Sequence, residues 1–283
     1  MKKLVSTLMA MALVLVSVTA CAERIIPSKN YVTKKVDVGS FNAISTSSSV
    51  DVIYTQSPGS QNVEIYAPDN LISYIDVWVE GGVLKVGFKS PRNNFSITGK
   101  HKKEVRVSAP AVNSLKASSS GDIIIRNGLK INGKVTVKAS SSGDVTGGTI
   151  SCDDFMATAN SSGDVVLEKV SCTNFTADAN SSGDVSIKKL DATNVSADAS
   201  SSGDVILAGT CENASYRASS SGDVKAKGMK AVNVTASASS SGDVECYVTG
   251  SLTAKASSSG EVAYKGDPKN IDFSPKRGLR KIE

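Results

Sequence analysis

The sequence predicts an all-β protein that folds as a single-stranded, right-handed parallel β-helix with rungs of about 20 residues. One observation is a repeated phrase, Ser-Ser-Ser-Gly-Asp-Val, which recurs between residues 118 and 262. Its glycines lie 22, 20, 20, 20, 19, 20 and 18 residues apart, a regular period that is typical of a solenoid. They are Gly121, Gly143, Gly163, Gly183, Gly203, Gly222, Gly242 and Gly260.

The second observation is the pattern between two copies of the phrase. Apolar and polar residues alternate in three short runs, for example over residues 155–172, and a period of two indicates strands with one buried face. Strands this close in sequence cannot pair with each other, so each is expected to pair with its copy one rung on, about 4.8 Å away. Several rungs must stack before the apolar faces are buried, and the winding is expected to be right-handed.

The third observation is a column of small residues at one inward position of the rung. It predicts a narrow core at that corner, where leucine would overpack the structure and cost about 1–3 kcal/mol. The column is Ala139, Ala159, Ala179, Ala199, Ala218, Ala238 and Ala256.

The beginning of the chain indicates export. Lys2 and Lys3 precede an apolar run over residues 8–18, and the run ends in a Val-Thr-Ala-Cys21 sequence similar to a lipobox. Residues 1–21 are therefore interpreted as a lipoprotein signal peptide, with Cys21 as the lipidated residue that anchors the chain in a bilayer. The Ala-Cys-Ala sequence around Cys21 also fits a signal-peptidase site that would release a soluble protein. The apolar run is shorter than the ~20 residues of a transmembrane helix.

The rest of the chain divides by pattern. Residues 22–40 are polar and predict a tether, and residues 41–115 predict an N-terminal β region that caps the β-helix. The regular rungs occupy 116–264, and residues 265–283 form a basic C-terminal tail that is expected to be solvated. The formal charge is +5, or +3 once Lys2 and Lys3 are removed with the signal peptide, and it is too mild to indicate a nucleic-acid partner.

Several of these features resemble one family. The Phe41, Ile44, Val50 and Val52 opening, the strand at residues 82–86 and the serial Ser-Gly-Asp rungs are similar to the GIN-domain family, also called head GIN or auto-transporter-adhesin-like. The resemblance covers residues 40–264. It implies a right-handed β-helix on the cell envelope of a Gram-negative bacterium, often as a lipoprotein, with an adhesin function and no catalytic residues to carry over.

Stacking would turn the acidic position of the phrase into a column. Carboxylates one rung apart repel by about 0.9 kcal/mol even at the dielectric constant of water, so something must offset them. The favoured interpretation is that each aspartate caps its own turn. A cation ladder is the alternative, and calcium would need six to eight oxygens. The column is Asp122, Asp144, Asp164, Asp184, Asp204, Asp223, Asp243 and Glu261.

The serines of the phrase would form a hydroxyl face in the same way, with Asn160 and Asn180 replacing the first serine in two rungs. Inward hydroxyls can hydrogen-bond along the stack, and outward ones could contact sugars.

Cys152 and Cys172 share a phase in neighbouring rungs, close enough for a disulfide, although stacked free thiols fit equally. Cys211 lies two rungs beyond Cys172, and Cys246 has another phase. With His101 as the single histidine and no Cys-x-x-Cys, a zinc site is not expected.

Two functions remain open from the sequence. The first is a non-catalytic envelope lipoprotein of the outer membrane, on its periplasmic or surface side, that binds a glycan or another envelope or host surface component through its Ser and Asp columns. The second is a carbohydrate-active enzyme that uses the acidic column, although rungs of nearly constant length leave little material for a walled cleft.

Overall fold

The computed structural model describes residues 23–89, 95–99, 101–274 and 277–283. It confirms an all-β fold, with 65% of residues in strands that form a parallel β-solenoid of about eight turns. Over these residues the helical content is one 3-10 turn, Ile72–Tyr74. In the described part of the chain, no helix is long and apolar enough to cross a lipid bilayer. The predicted signal peptide and Cys21 lie outside the described residues.

The strands fall into an N-terminal group and a group that forms the rungs. The N-terminal strands are β1 (Glu23–Ile25), β2 (Tyr31–Lys35), β3 (Ala43–Thr46), β4 (Asp51–Gln56), β5 (Asn62–Pro68), β6 (Ile75–Glu80), β7 (Val83–Phe88), β8 (Phe95–Ile97) and β9 (Glu104–Ala109). The strands that follow are β10 (Ser114–Ala117), β11 (Ile123–Ile125), β12 (Leu129–Lys130), β13 (Lys134–Ser141), β14 (Val145–Ser151), β15 (Asp154–Ser161), β16 (Val165–Asn180), β17 (Val185–Ser200), β18 (Val205–Ser219), β19 (Val224–Ala238), β20 (Val244–Ala256), β21 (Val262–Lys265), β22 (Asn270–Phe273) and β23 (Leu279–Lys281).

Each regular rung pairs in parallel with the rung before and the rung after it. Between β16 and β17 the paired residues are 20 apart and form three stretches, which begin at Val165↔Val185, Val170↔Leu190 and Asn174↔Asn194. These are the three predicted strand segments. The structure joins them by bends within one long strand, so that the Ser-Gly-Asp phrase supplies the main turn of the rung.

The glycine of the phrase is required by close approach between rungs. A Cβ atom on Gly183 would lie 2.7 Å from the backbone nitrogen of Asn160 and 2.7 Å from the carbonyl oxygen of Gly163. The left-handed backbone conformation of the turn belongs instead to the middle serine, for which Ser181, with φ of 63°, is an example. The glycines therefore stand in a single file because a side chain there would separate the rungs.

The core runs along the axis as stacked columns. The predicted alanine column is buried throughout, from Ala139 to Ala256. On a neighbouring position, the rings of Phe155 and Phe175 stack with centroids 5.7 Å apart and 14° between their planes. Valine, leucine and isoleucine fill many of the other inward positions, and each rung buries its apolar face only between its neighbours.

The N-terminal strands end the parallel stack. β3 pairs in parallel with β10 and β7, and β4 pairs in parallel with β11 and β9. Below them the direction reverses, because β6 is antiparallel to β7 and β5 is antiparallel to β9. This antiparallel edge is the cap that the sequence predicted.

The tether predicted for residues 22–40 was wrong in its secondary structure. β1 pairs in parallel with β8, and β2 pairs antiparallel with β5. The ring of Tyr31 stacks on Tyr66 at a centroid distance of 5.2 Å. The short Tyr-Val-Thr alternation is a strand pattern, and pairing with the edge of β5 gives it a partner that the local sequence does not show.

The prediction that the rungs end at residue 264 was also wrong, although none of the described residues of the tail over 265–283 is buried, as a solvated end requires. β22 pairs in parallel with β20, and β23 pairs in parallel with β21, so the tail adds part of a further rung. Two of its basic residues pair with acidic ones, since Arg280 contacts Glu261 at 2.7 Å and Lys281 contacts Asp267 at 2.6 Å.

We expect Gly183→Ala to lower the free energy of unfolding by about 1–3 kcal/mol, because its Cβ atom would meet backbone atoms of the preceding rung. Chemical denaturation followed by circular dichroism measures the change. The matched control is Gly148→Ala, since a Cβ atom there meets nothing within 4 Å, and it should change stability by about 0.5 kcal/mol or less. Equal losses in the two variants would contradict the close-approach explanation.

Candidate functional site

The turns of successive rungs lie above one another and form a ridge of exposed hydroxyl groups, which we call the serine ridge. In each rung its members are the second and third residues of the phrase, and their side chains are exposed. The serine ridge consists of Ser119, Ser120, Ser141, Ser142, Ser161, Ser162, Ser181, Ser182, Ser201, Ser202, Ser220, Ser221, Ser240, Ser241, Ser258 and Ser259.

The backbone holds these hydroxyl groups in a regular array. The first serine of each pair has φ between 52° and 63° in all eight rungs. In four of the turns the next residue donates its N–H to the rung before, as Ser142 does to the carbonyl of Ser119 at 2.7 Å, whereas Ser182 donates within its own turn to Asn180. The first residue of the phrase faces inward in part, and Ser118 donates its hydroxyl to the carbonyl of Thr46 at 2.9 Å. The ridge therefore repeats at the spacing of the strands, about 4.8 Å.

The predicted acidic column lies beside the serine ridge, and its carboxylates bind backbone amides of the neighbouring rung. The N–H of Asp184 donates to Oδ1 of Asp164 at 2.9 Å, and the N–H of Asp204 donates to Oδ1 of Asp184 at 2.9 Å. The same bond, between 2.8 and 3.2 Å, links every consecutive pair. The full column is Asp51, Asp122, Asp144, Asp164, Asp184, Asp204, Asp223, Asp243 and Glu261.

The expectation that each aspartate caps its own turn was therefore wrong about the partner. Within one turn the glycine amide already has an acceptor, since Gly163 donates to the carbonyl of Asn160 at 3.2 Å. The aspartate amide instead faces the preceding rung, and the carboxylate there takes the place of a carbonyl oxygen. Each side chain thus ties two rungs together.

The amides and two basic side chains, Lys225 and Arg280, offset the repulsion along the column. Burial, and after it the charges of Asp144 and Asp184, raises the pKa of Asp164, while the amide of Asp184 acts in the opposite direction. Near the C-terminal end, Lys225 forms an ion pair with Asp204 and lies 3.6 Å from Asp223, and the hydrogen bond to Asp204 raises the pKa of Lys225. Backbone amides and basic side chains of the protein therefore stabilise the charged column.

Sequence reasoning missed two features of this surface. Asp51 is the first member of the column, although Val50 stands where the glycine would be; the Ser-Ser-Ser-Val-Asp-Val order of this degenerate phrase was the signal.

The second missed feature is an asparagine ladder on another face of the β-helix, where each side-chain amide donates to the rung before over 2.7–3.2 Å. Its members are Asp154, Asn174, Asn194, Asn213 and Asn233, and the last four recur at spacings of 20, 19 and 20.

The cysteines lie where their phases predicted. Cys172 follows Ser171, which pairs with Ser151, so Cys152 and Cys172 occupy adjacent rungs, whereas Cys246 pairs with Ala226 in another column. Cys152, Cys172, Cys211 and Cys246 are free thiols in the structure. Burial raises the pKa of Cys152 to about 11 and that of Cys172 to about 12, so both thiols stay protonated at neutral pH and are weak nucleophiles. A Cys152–Cys172 disulfide stays a prediction.

Among the described residues, no group of three or more His, Cys, Asp or Glu side chains could hold a metal ion. Successive carboxylates of the column lie in adjacent rungs, about 4.8 Å apart, and each already accepts a backbone hydrogen bond. A calcium ladder stays a prediction.

The comparisons with known proteins agree with the fold and the repeats. A family model described as "putative auto-transporter adhesin, head GIN domain" matches residues 40–206 and 159–268. A crystal structure of a putative adhesin from Parabacteroides merdae is 19% identical, covers 93% of this chain and 100% of its own, and has a TM-score of 0.64.

Two further structures are similar. A putative adhesin from Bacteroides fragilis is 25% identical over 91% of this chain and 100% of its own, with a TM-score of 0.51. A protein from Parabacteroides distasonis, named as a putative lipid binding protein, is 23% identical over 92% of this chain and 100% of its own, with a TM-score of 0.56. Among curated proteins, none matches the sequence significantly.

We expect Asp164→Ala to lower the free energy of unfolding by about 1–2 kcal/mol, because it leaves the half-buried amide of Asp184 without an acceptor. Asp164→Asn keeps an acceptor oxygen and removes the buried charge, so its stability at pH 7 should equal or exceed that of the wild type. Denaturation in urea measures both variants, with Asp191→Ala, at an exposed outward position, as the control.

Asp164 gives the stability of the fold a pH dependence of defined sign. The pKa of Asp164 is raised in the folded state, so its charged form destabilises the fold and protonation relieves the penalty. The wild type should therefore gain stability relative to Asp164→Asn as the pH falls through that raised pKa. If alanine and asparagine were equally destabilising at pH 7, the inter-rung hydrogen bond would have no measurable role.

Proposed function

The chain belongs to the family of auto-transporter-adhesin-like head GIN domains, and we propose that it is a non-catalytic, lipid-anchored surface-binding protein of the cell envelope. Adhesins act outside the cytoplasm, which agrees with the export signal read from residues 1–21. The ligand class that fits the exposed surface is a glycan or another polar component of an envelope or host surface.

The observation that carries this proposal is the serine ridge. The backbone that carries its exposed hydroxyl groups repeats the same turn conformation in every rung, and in four turns it is hydrogen-bonded to the preceding rung, as in the pair Ser142 and Ser119. A ligand that meets a rigid array loses less conformational freedom on the protein side, so more of the contact energy remains as affinity. Solenoids also present long surfaces that suit extended ligands. A polysaccharide chain lying along the ridge could repeat the same hydroxyl contacts at each rung.

The arrangement of carboxylates supports a binding role over the carbohydrate-active enzyme. Hydrolysis by two carboxylates needs a pair whose environments push their pKa values apart, one as acid and one as base or nucleophile. In the column, Asp144, Asp164 and Asp184 have the same partner type and nearly the same geometry. These three carboxylates share one kind of environment, and the regular rungs build no wall around them.

The proposed anchor would hold the β-helix close to the membrane. Only one residue separates Cys21 from β1 (Glu23–Ile25), and β1 is paired with β8 in the N-terminal region. Two residues of extended chain span about 7 Å at most. The N-terminal end of the β-helix would therefore lie at the bilayer surface, with the serine ridge leading away from it.

A glycan array probed with the purified full-length chain, with and without calcium, tests the binding function. We expect binding to a subset of glycans and no release of reducing sugar from any of them. Turnover of a bound glycan that disappears in Asp184→Asn would establish the enzyme alternative and contradict the proposal. Binding that requires calcium would instead establish the cation ladder.

Metabolic labelling with a fatty-acid analogue tests the anchor. The wild type and Cys152→Ala should both incorporate the label and sediment with membranes, whereas Cys21→Ala should do neither, because the thiol that accepts the lipid is gone. An unlabelled, released wild-type protein would show that the signal peptide is cut at the Ala-Cys-Ala site instead.

A further inference from the structure

A cavity of about 490 Å³ opens at the N-terminal end of the serine ridge. Its walls come from the first two rungs and from the strands that cap them, and its volume is in the range of small-ligand sites. The residues that carry the argument are Ser49, Phe88, Phe95, His101, Lys103 and Ser120.

One wall of the cavity is aromatic. The ring of Phe95 meets Phe88 edge to face, with centroids 5.4 Å apart and planes at 86°, and it also contacts Tyr74 at a centroid distance of 5.1 Å. The three rings hold one another in place, and both phenylalanine side chains keep part of their surface open. Such rings offer a flat apolar surface to the C–H face of a sugar ring.

A second wall carries a cation. The ammonium of Lys103 donates to Oγ of Ser49 at 3.0 Å and lies 5.9 Å from the centroid of Phe88. An ammonium has three donors, and Lys103 forms no ion pair with a described carboxylate. The neighbouring carboxylate of Glu104 is occupied, because it contacts Lys102 at 3.6 Å and Arg106 at 3.2 Å. Burial lowers the pKa of Lys103, and the charge of Asp51 acts in the opposite direction without forming an ion pair with it.

The only imidazole of the chain lines the same cavity. Both ring nitrogens of His101 are buried, and neither meets a partner of hydrogen-bonding distance and angle among the described residues. Burial, followed by the charge of Lys103, lowers the pKa of His101, and the backbone of Gly99 opposes the shift. Buried polar atoms in native proteins are nearly always hydrogen-bonded, so these two nitrogens point to a partner that enters the cavity.

We propose that this cavity binds a carboxylate-bearing sugar, such as a terminal hexuronic acid of a glycan. Lys103 and His101 would bind the carboxylate, Phe88 and Phe95 would cover the apolar face of the ring, and the hydroxyls of Ser49 and Ser120 would contact those of the sugar. A neutral sugar would leave the ammonium unpaired, and a bare anion would leave the aromatic wall unused. This inference rests on the proposed glycan-binding function, since the rest of the glycan would continue along the serine ridge.

Isothermal titration of the full-length chain with sodium glucuronate tests the proposal, with glucose and inorganic phosphate as comparison ligands. We expect glucuronate to bind at least tenfold more tightly than either. Lys103→Met keeps the length of the side chain and should weaken glucuronate binding at least tenfold. The matched control is Lys102→Met, whose ammonium is exposed and pairs with Glu104, and its affinity should stay within twofold of the wild type.

His101→Gln is a second variant, in case Lys103→Met does not fold. Circular dichroism confirms that each variant is folded. Equal affinity for glucuronate and glucose, or unchanged affinity in folded Lys103→Met, would overturn the pocket. Phosphate binding as tight as that of glucuronate would show an anion site without sugar recognition, and would also overturn it. If the chain binds glycans on the array but not glucuronate, the proposed glycan-binding function stands and the pocket proposal fails. If it binds glucuronate but no glycan on the array, the pocket proposal stands and glycan binding by the serine ridge fails.

Discussion

The surfaces of this protein depend on the close approach of one rung to the next at the Ser-Gly-Asp turn. Gly183 lies against the backbone of Asn160 and Gly163, at distances that leave no space for a Cβ atom. This contact keeps the strands in register along the whole rung, because an in-register turn brings Val165 opposite Val185 and Phe155 opposite Phe175. The buried columns and the exposed columns are two consequences of the same alignment.

The aspartates solve a problem that this alignment creates. At the turn, the amide of each aspartate faces the preceding rung, and a buried amide without an acceptor would cost about 1–3 kcal/mol. A carboxylate from that rung accepts the bond, as Asp164 does from Asp184. The same bonds offset the repulsion between successive carboxylates. The backbone amides therefore provide the compensation for which the sequence pattern had suggested bound cations as an alternative. The serines beside it are then free to face outward.

The sequence predicted the period, the parallel stacking and the alanine column because these features follow from residues that repeat. It did not predict the partner of each carboxylate, since the direction of an amide in a turn depends on the rung below. The strand at Tyr31–Lys35 was missed because its partner, the strand at Asn62–Pro68, lies about 30 residues or more away in sequence. The added rung at the C-terminal end keeps the usual spacing, since Ser251 pairs with Asn270, and it was missed because residues 265–283 lack the Ser-Ser-Gly-Asp phrase. The cavity around Lys103 was also missed, because it joins the first rungs to strands that carry no repeat. The asparagine ladder could have been found, since Asn174 and Asn194 recur with the same period as the glycines.

Amide hydrogen exchange of the native protein, resolved at the aspartates of the column, tests the central claim most directly. If the carboxylates bind the amides of the next rung, the N–H groups of Asp164, Asp184 and Asp204 should exchange as slowly as that of Val185, which donates to the carbonyl of Asp204 at 2.9 Å. Exchange of the aspartate amides at the rate of an unstructured peptide, beside a protected Val185, would contradict the account.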